Sequence, residues 1–334
     1  PRNVILGYQA GQQSSAGDNV VIGYDSSRYT TGGQNVSIGR SAAMGSSGTS
    51  TFSNTVAVGY QALTALTTGA GNTAVGYQAG NSIETGNHNS FFGYEAGKDV
   101  AVNAKWNVAV GYQALKTSTG FLDASTSVGY MAGWSSGRQN AFVGYQSGSS
   151  SGANGYSAAL GYRALSGDNQ GTQYSVGVGH NAGRTSNGDY NVLIGANTGD
   201  TYNSSFSNTV AVGYEALTEL TTGAGNTAVG YQAGNTLTTN SKNTLFGYQV
   251  IAGGSDNTAF GYQAMNSVSG DTRKNTAVGS LAGVRTGVSV GNVFVGYNAG
   301  NGGRGDNNIF LGESAGMGST GSDNIGFGGQ TGRN

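Results

Sequence analysis

The nine residues Asn72-Thr73-Ala74-Val75-Gly76-Tyr77-Gln78-Ala79-Gly80 recur, intact or degraded, along the whole chain. No other feature constrains the fold as much, because every copy must adopt the same local structure and bury the same face against its neighbours. Anchored on its first glycine, the motif occurs twenty times, from Gly7 to Gly328, spanning 321 residues in 19 steps. The mean spacing is about 17 residues, with single steps from 14 to 20. A period of this size suits one coil of a β-solenoid and is too short for paired helices or propeller blades. Positions below are counted from the anchor, so that Ala74 is at −2 and Tyr77 at +1.

Each copy reads as a short strand of four or five residues. Position −1 is apolar in all twenty copies, as at Ile22, Val75, Phe92 and Leu160. Position −3 is mostly apolar or Thr, as at Val4, Val36, Thr73, Val108 and Ile309. Residues two apart face the same way on a strand, so these two columns are expected to fill the interior of the coil. Position −2 between them is usually small (Ser37, Ala57, Ala74, Ala109) but in some copies large: Ile5, Phe91, Phe142, Leu193, Leu245, Phe294 and Phe310. On this reading the central column points outward. Exposing its large members would forgo burial worth about 1.5–3 kcal/mol each. Neighbouring chains are therefore expected to cover it; the alternative is a second segment of the same coil.

The anchor glycine needs either a positive φ or a close approach by a neighbouring chain. Ala at +3 in fifteen copies, as at Ala79 and Ala132, implies a second narrow spot. Asn occupies −4 in fifteen copies, Asn72 among them, which predicts an amide ladder bonding coil to coil. Tyr occupies +1 in fourteen copies, and these make up most of the chain's 19 tyrosines. They read either as a packed ladder stabilising the stack or as an aromatic stripe for sugars. The structural ladder is thus represented by Asn72, Val75, Gly76, Tyr77 and Ala79. Glycines at Gly17, Gly33, Gly71, Gly86, Gly137, Gly188, Gly254 and Gly321 read as turns between coils.

The uniform repeat argues for one domain over 1–334, a rod of roughly 95 Å at a strand spacing of about 4.8 Å. Residues 41–53, rich in Ser, Gly and Thr, read as a longer surface loop. Residues 52–81 return at 206–235 with only Gln61/Glu215 and Ala65/Glu219 differing, a duplicated block that puts Ala65 and Glu219 in solvent. From Gly144 to Gly195 the consensus weakens, with His180 and Ala196 in place of Tyr; Ser280, Glu313 and Gly329 follow later. The chain starts at Pro1 with a repeat already under way, as expected of a fragment or processed product.

Composition narrows the function classes. Charged residues are 9% and the net charge is −1, so nothing favours nucleic acid or an anionic membrane. Glycine does not fall every third residue and there is one proline, which excludes collagen. Without cysteine there is no disulfide framework, and two histidines, His88 and His180, give no zinc ligand set. No apolar run is long enough to span a membrane as a helix. Carboxylates such as Asp18, Asp168, Asp189, Asp256, Asp306 and Asp323 mostly precede strands, where Asp forms turns. Gly302-Gly303-Arg304-Gly305-Asp306 is a single near miss to a calcium β-roll unit and also contains the Arg-Gly-Asp tripeptide, which chance alone supplies easily. No carboxylate pair recurs at a fixed spacing. No enzyme, cofactor or metal is therefore expected. A polysaccharide depolymerase with a carboxylate groove and an ice-binding rod with a flat Thr sheet are the rivals from other classes.

Binding, if present, is expected off the ladder, because irregular loops on a rigid scaffold carry recognition. The candidates are loop 41–53, loop 98–106 with Trp106, and the segment carrying Trp134 and Arg138. Trp and Arg are enriched at binding hot spots.

Thr55-Val56-Ala57-Val58-Gly59, Ser175-Val176-Gly177-Val178-Gly179 and Thr209-Val210-Ala211-Val212-Gly213 resemble the Ser-Val-Ala-Ile-Gly repeats of trimeric autotransporter adhesin heads. The Asn-Thr-Ala-Val-Gly-Tyr-Gln-Ala style is also similar to repeat arrays of phage and bacterial fibre proteins. The period here is longer, and Tyr after the glycine is not the adhesins' habit. The resemblance covers nearly all of 1–334. It implies an all-β, left-handed parallel β-roll packed as a homotrimer, on a virion or otherwise extracellular surface. Its implied role is a structural segment of a phage tail fibre serving host attachment through a surface receptor or glycan, or alternatively the head of a bacterial surface adhesin.

Overall fold

The structure is a computed structural model and describes residues 2–46, 50–118, 122–149, 155–167, 172–266, 272–285, 287 and 289–332. It is all-β and divides into two compact units, Pro1–Gln173 and Tyr174–Asn334. Each is a parallel β-solenoid in which every repeat contributes one three-residue strand, positions −3 to −1. The first unit runs from β1 (Val4–Leu6) to β10 (Ala158–Leu160), the second from β11 (Val176–Val178) to β20 (Ile325–Phe327). The predicted strands were longer because the pattern continues into −4 and the anchor, where the chain is already turning.

Within each unit consecutive strands pair in parallel with columns matched. In β5 (Thr73–Val75) and β6 (Ser90–Phe92), Thr73 lies opposite Ser90, Ala74 opposite Phe91 and Val75 opposite Phe92. Spacer length therefore varies without disturbing register. Ten rungs at about 4.8 Å make each stack about 43 Å deep. Bonds between coils run both ways: the Gly76 amide donates to the Val58 carbonyl of the preceding coil at 2.8 Å, and the Thr73 amide to the Asn89 carbonyl of the following one at 2.8 Å.

The anchor column meets both conditions that its glycine implied. Gly76 has φ +141°, and a Cβ there would run into the carbonyl oxygen of Gly93 on the next rung. Three other corners of the coil are left-handed although most do not use glycine. Trp106 at −5 (φ 57°), Gln78 at +2 (φ 52°) and Leu115 at +4 (φ 52°) are examples. At such a corner the peptide turns its N–H along the stack: Trp106 donates to the Asn87 carbonyl at 3.1 Å and Gln78 to that of Tyr60 at 2.8 Å. The coil-to-coil bonds offset the ordinary cost of this conformation, about 1–2 kcal/mol per residue.

The core overturns one expectation. Position −2 points into the coil, and −1 and −3 point out. Phe91, Phe142, Leu193 and Leu245 are fully buried, as are Ala57, Ala74 and Ala109, whereas Phe92 and Val110 are exposed and Val75 is half-buried. The central column is thus covered by its own chain; among its large members only Ile5, on the first rung, is exposed. The periodicity correctly gave alternation but not its phase, since both faces of the strand carry apolar residues. The alternation of large and small at −2 also has an internal cause. Position +4 crosses the same interior, and in many coils, though not at Ala74/Gly80 or Leu245/Ile251, its volume complements −2. Phe91 is flanked by Gly80 and Gly97, and a Cβ on Gly97 would lie 2.7 Å from the Phe91 ring. Where −2 is Ala57, Ala109 or Ala211, position +4 is Leu63, Leu115 or Leu217, each fully buried. Apolar residues of the far turn, including Leu66, Ile83 and Leu122, close the core.

The buried −4 column forms the expected amide ladder. The Asn72 side-chain oxygen accepts from both the backbone N–H and the side-chain amide of Asn89, each at 2.9 Å, and Asn89 accepts likewise from Asn107. In the second unit the same pattern runs without a break from Asn226 through Asn243, Asn257, Asn275, Asn292 and Asn308 to Asn324. Each rung thereby satisfies backbone and side-chain groups that burial would otherwise penalise.

Candidate functional surface

Two kinds of surface emerge from this architecture: a regular outer face and irregular corners. The regular face carries columns −3, −1 and +1. Its tyrosines stack continuously from Tyr60 through Tyr77, Tyr94, Tyr112, Tyr130 and Tyr145 to Tyr162, with ring centroids 4.9–5.2 Å apart and interplanar angles of 6–8°. In the second unit Tyr214, Tyr231, Tyr248 and Tyr262 do the same at 5.0–5.3 Å. Stacking occupies the ring faces that a sugar would need, leaving ring edges and hydroxyls toward solvent. The tyrosines are therefore a packed ladder along these runs. Beside them Phe92, Val110, Val143, Leu160, Ile194, Phe260 and Val278 remain exposed, an apolar stripe repeated rung after rung.

Position +2 adds a second polar ladder. The side-chain amide of Gln78 donates to Gln61 at 2.8 Å, Gln249 to Gln232 at 2.8 Å and Gln263 to Gln249 at 3.0 Å. Carboxylates enter this column three times, and Asp25 pairs with Arg28 at 3.3 Å. Glu215 accepts from Gln232, and Glu95 accepts from Gln113 at 2.7 Å while pairing with Lys98 at 2.9 Å and Lys116 at 2.8 Å. Burial pushes the Glu95 carboxyl up, but hydrogen bonds from Lys116, Lys98 and Gln113 outweigh it and bring it down to about 2. A strongly shifted carboxyl commonly marks an active site. Here every partner is accounted for within the ladder, and the group braces neighbouring coils. Among the described residues no three His, Cys, Asp or Glu side chains come together to hold a metal ion.

The structure brings two of the three candidate recognition residues to one corner. Trp106, at −5, is 58% exposed. Arg138, at −6 two coils further on, is also exposed, and its carbonyl accepts from the backbone N–H of Tyr156, which holds −5 one coil later. Trp134 lies elsewhere, at +5; it is half-buried and its carbonyl accepts from both the backbone and hydroxyl of Thr117. The stretch 41–53 is less of a surface loop than its composition suggested: Ala42, Ala43 and Phe52 are fully buried and Ser50 bridges to Thr30. Its residues 47–49 lie outside the described set. Asp306 of the Arg-Gly-Asp tripeptide is tied into the stack, its carboxylate accepting from the Val290 amide at 2.8 Å.

The −5 column is the feature that sequence reading passed over. Its left-handed backbone would favour Gly or Asn, yet it holds His88, Trp106, Tyr156, Tyr174, Tyr190 and Lys242. The fixed offset from the anchor was the available signal. The chain matches no protein-family model and no curated protein.

Proposed function

We propose that this chain is a structural segment of a phage tail fibre that self-associates laterally and serves attachment to the host-cell surface. The observation that carries this reading is the exposed apolar stripe at −1 beside the tyrosine ladder. Soluble monomers rarely leave a continuous apolar patch of this kind in water, and such patches mark contact surfaces. The case for assembly thus rests on the −1 column, since the central one is used up inside each coil. A repeated stripe meets its own repeat in a second copy with matching spacing, so the same chain is the natural partner. The number three follows the resemblance to trimeric fibre and adhesin heads. The ladders at −4, +1 and +2 supply stiffness, and the variable −5 corner supplies side chains for a surface receptor or glycan. Such a segment acts outside the cell, on a virion.

Mass measurement under native conditions tests the assembly. The expected result is three times the 33.5 kDa chain mass. Placing Lys at Phe92 and Val110 is expected to reduce this to one chain with the far-ultraviolet dichroism unchanged. A wild-type protein that stays at one chain mass at every concentration overturns the assembly.

A further inference from the structure

The tyrosine column contains a built-in example of what fills a missing ring. In the first unit Arg40 stands at +1 between Tyr24 and Tyr60, with its guanidinium carbon 5.6 Å from one ring centroid and 5.9 Å from the other. In the second unit Ser280 holds the same column position between Tyr262 and Tyr297, on strands that pair in register. A serine side chain is too short to reach between the rings. Two rungs of separation leave a slot of about 10 Å between ring planes, which one planar group bisects. Tyr262 is held in place by stacking on Tyr248 at 5.3 Å. The two slot tyrosines are 52% and 54% exposed, against 41% for Tyr77, which is stacked on both sides. The next rung beyond Tyr297 carries Glu313 in the column, and no Lys or Arg occupies this column anywhere in the second unit.

We propose that the Tyr262–Ser280–Tyr297 slot binds a guanidinium group, as on an arginine side chain of an approaching polypeptide. Three features select this chemistry. Ring faces attract cations, a planar guanidinium stacks where an ammonium cannot, and the Glu313 carboxylate adds attraction for positive charge. The site does not depend on lateral self-association, because it is defined by three residues of one chain.

Nuclear magnetic resonance of ring-labelled tyrosine tests it, with Tyr262 and Tyr297 assigned from their Phe variants. The probes are N-acetyl-arginine-methylamide, its neutral isostere N-acetyl-citrulline-methylamide, guanidinium chloride at low millimolar concentration, and a short arginine-containing peptide. The arginine probe is expected to shift Tyr262 and Tyr297 saturably in the millimolar range, at least tenfold more tightly than citrulline, leaving Tyr77 and Tyr94 unmoved. A peptide that binds more tightly than guanidinium chloride identifies a polypeptide source; equal binding identifies the free cation, and both support the slot. Ser280→Arg and Ser280→Tyr, which restore residues the column uses elsewhere, are each expected to abolish the response. The proposal is overturned by no selective shift, by citrulline acting equally well, or by an undiminished response in whichever filled variant folds.

Discussion

At the scale of single residues, volume is shared between two columns of one coil. Phe91 fills the space that glycine leaves at +4 at Gly80 and Gly97, so truncation opens a cavity there that the neighbouring Leu63 fills only in part. Phe91→Ala is expected to cost about 3–5 kcal/mol, read from the denaturant midpoint. Gly97→Ala forces a left-handed alanine (φ +60° at Gly97) and a clash with the Phe91 ring, and should cost about 1–3 kcal/mol. Combined with Phe91→Leu, that penalty should shrink, because the smaller side chain releases the clash; strict additivity of the two changes would refute the shared-volume account. Glu95 makes a pH prediction. Its folded pKa of about 2 lies below the ordinary 4.5, so its stabilisation is complete above pH 4.5 and disappears as pH falls toward 2. The melting temperature of Glu95→Gln should accordingly decline less than that of the wild type over this interval. Parallel curves would show that the two lysines contribute nothing through this carboxylate.

At the scale of an element, a three-residue strand has almost no stability of its own. What fixes most strands is the asparagine preceding them, which along the Asn runs bonds both the next backbone amide and the next asparagine. Asn257 links three rungs: β15 (Thr244–Phe246), β16 (Thr258–Phe260) and β17 (Thr276–Val278). Replacing it by Ala takes the side-chain partner from the Asn275 backbone N–H and from the Thr272 carbonyl, while Asn243 keeps the backbone N–H of residue 257 and the Asn275 side-chain amide keeps the Ser289 carbonyl. Leaving buried polar groups unmet at about 1–3 kcal/mol each, the change should cost about 2–4 kcal/mol in all. The loss should be local, because each coil touches only its neighbours. Hydrogen exchange is expected to quicken at β15, β16 and β17 and to remain unchanged at β5 and β6. A uniform increase throughout the chain would instead mean that the solenoid opens as a single cooperative unit.

At the scale of the whole molecule, two solenoid units repeat one cross-section and vary it at a single corner. The ladder columns serve the stack, so their loss should act through folding. The exposed Trp106 and Arg138 side chains hold no core position, and their loss should act on recognition rather than on folding. Trp106→Ala and Arg138→Ala, singly and together, are therefore expected to weaken binding of the labelled protein to host cells, together by tenfold or more, while melting stays within about 0.5 kcal/mol of wild type. Unaltered binding by a normally folded double variant would remove this corner from the recognition surface. Trp134→Ala is the contrasting case: its half-buried ring packs against the coil, so its removal should lower stability before it affects binding.

The amino-acid sequence by itself determined the repeat, its count, the parallel solenoid and the ladders of Asn and Tyr. Each depends on residues recurring at one offset from Gly76 and its equivalents, and identical local demands at every coil leave few structures open. The direction of the strand faces was decided only in three dimensions. With apolar residues at −1, −2 and −3, alternation alone has two phases. The choice fell to the turn beyond +3, where Gly97 leaves room for the Phe91 ring and Leu63 fills the interior of the coil in which −2 is Ala57. The left-handed corners at Gln78, Leu115 and Trp106 were likewise hidden, because these residue types do not ordinarily signal positive φ. Bonds to the adjacent coil stabilise them, and those bonds exist only once the coils are stacked. The slot between Tyr262 and Tyr297 emerges for the same reason: residues 35 apart become neighbours two rungs apart only when the intervening coil has closed.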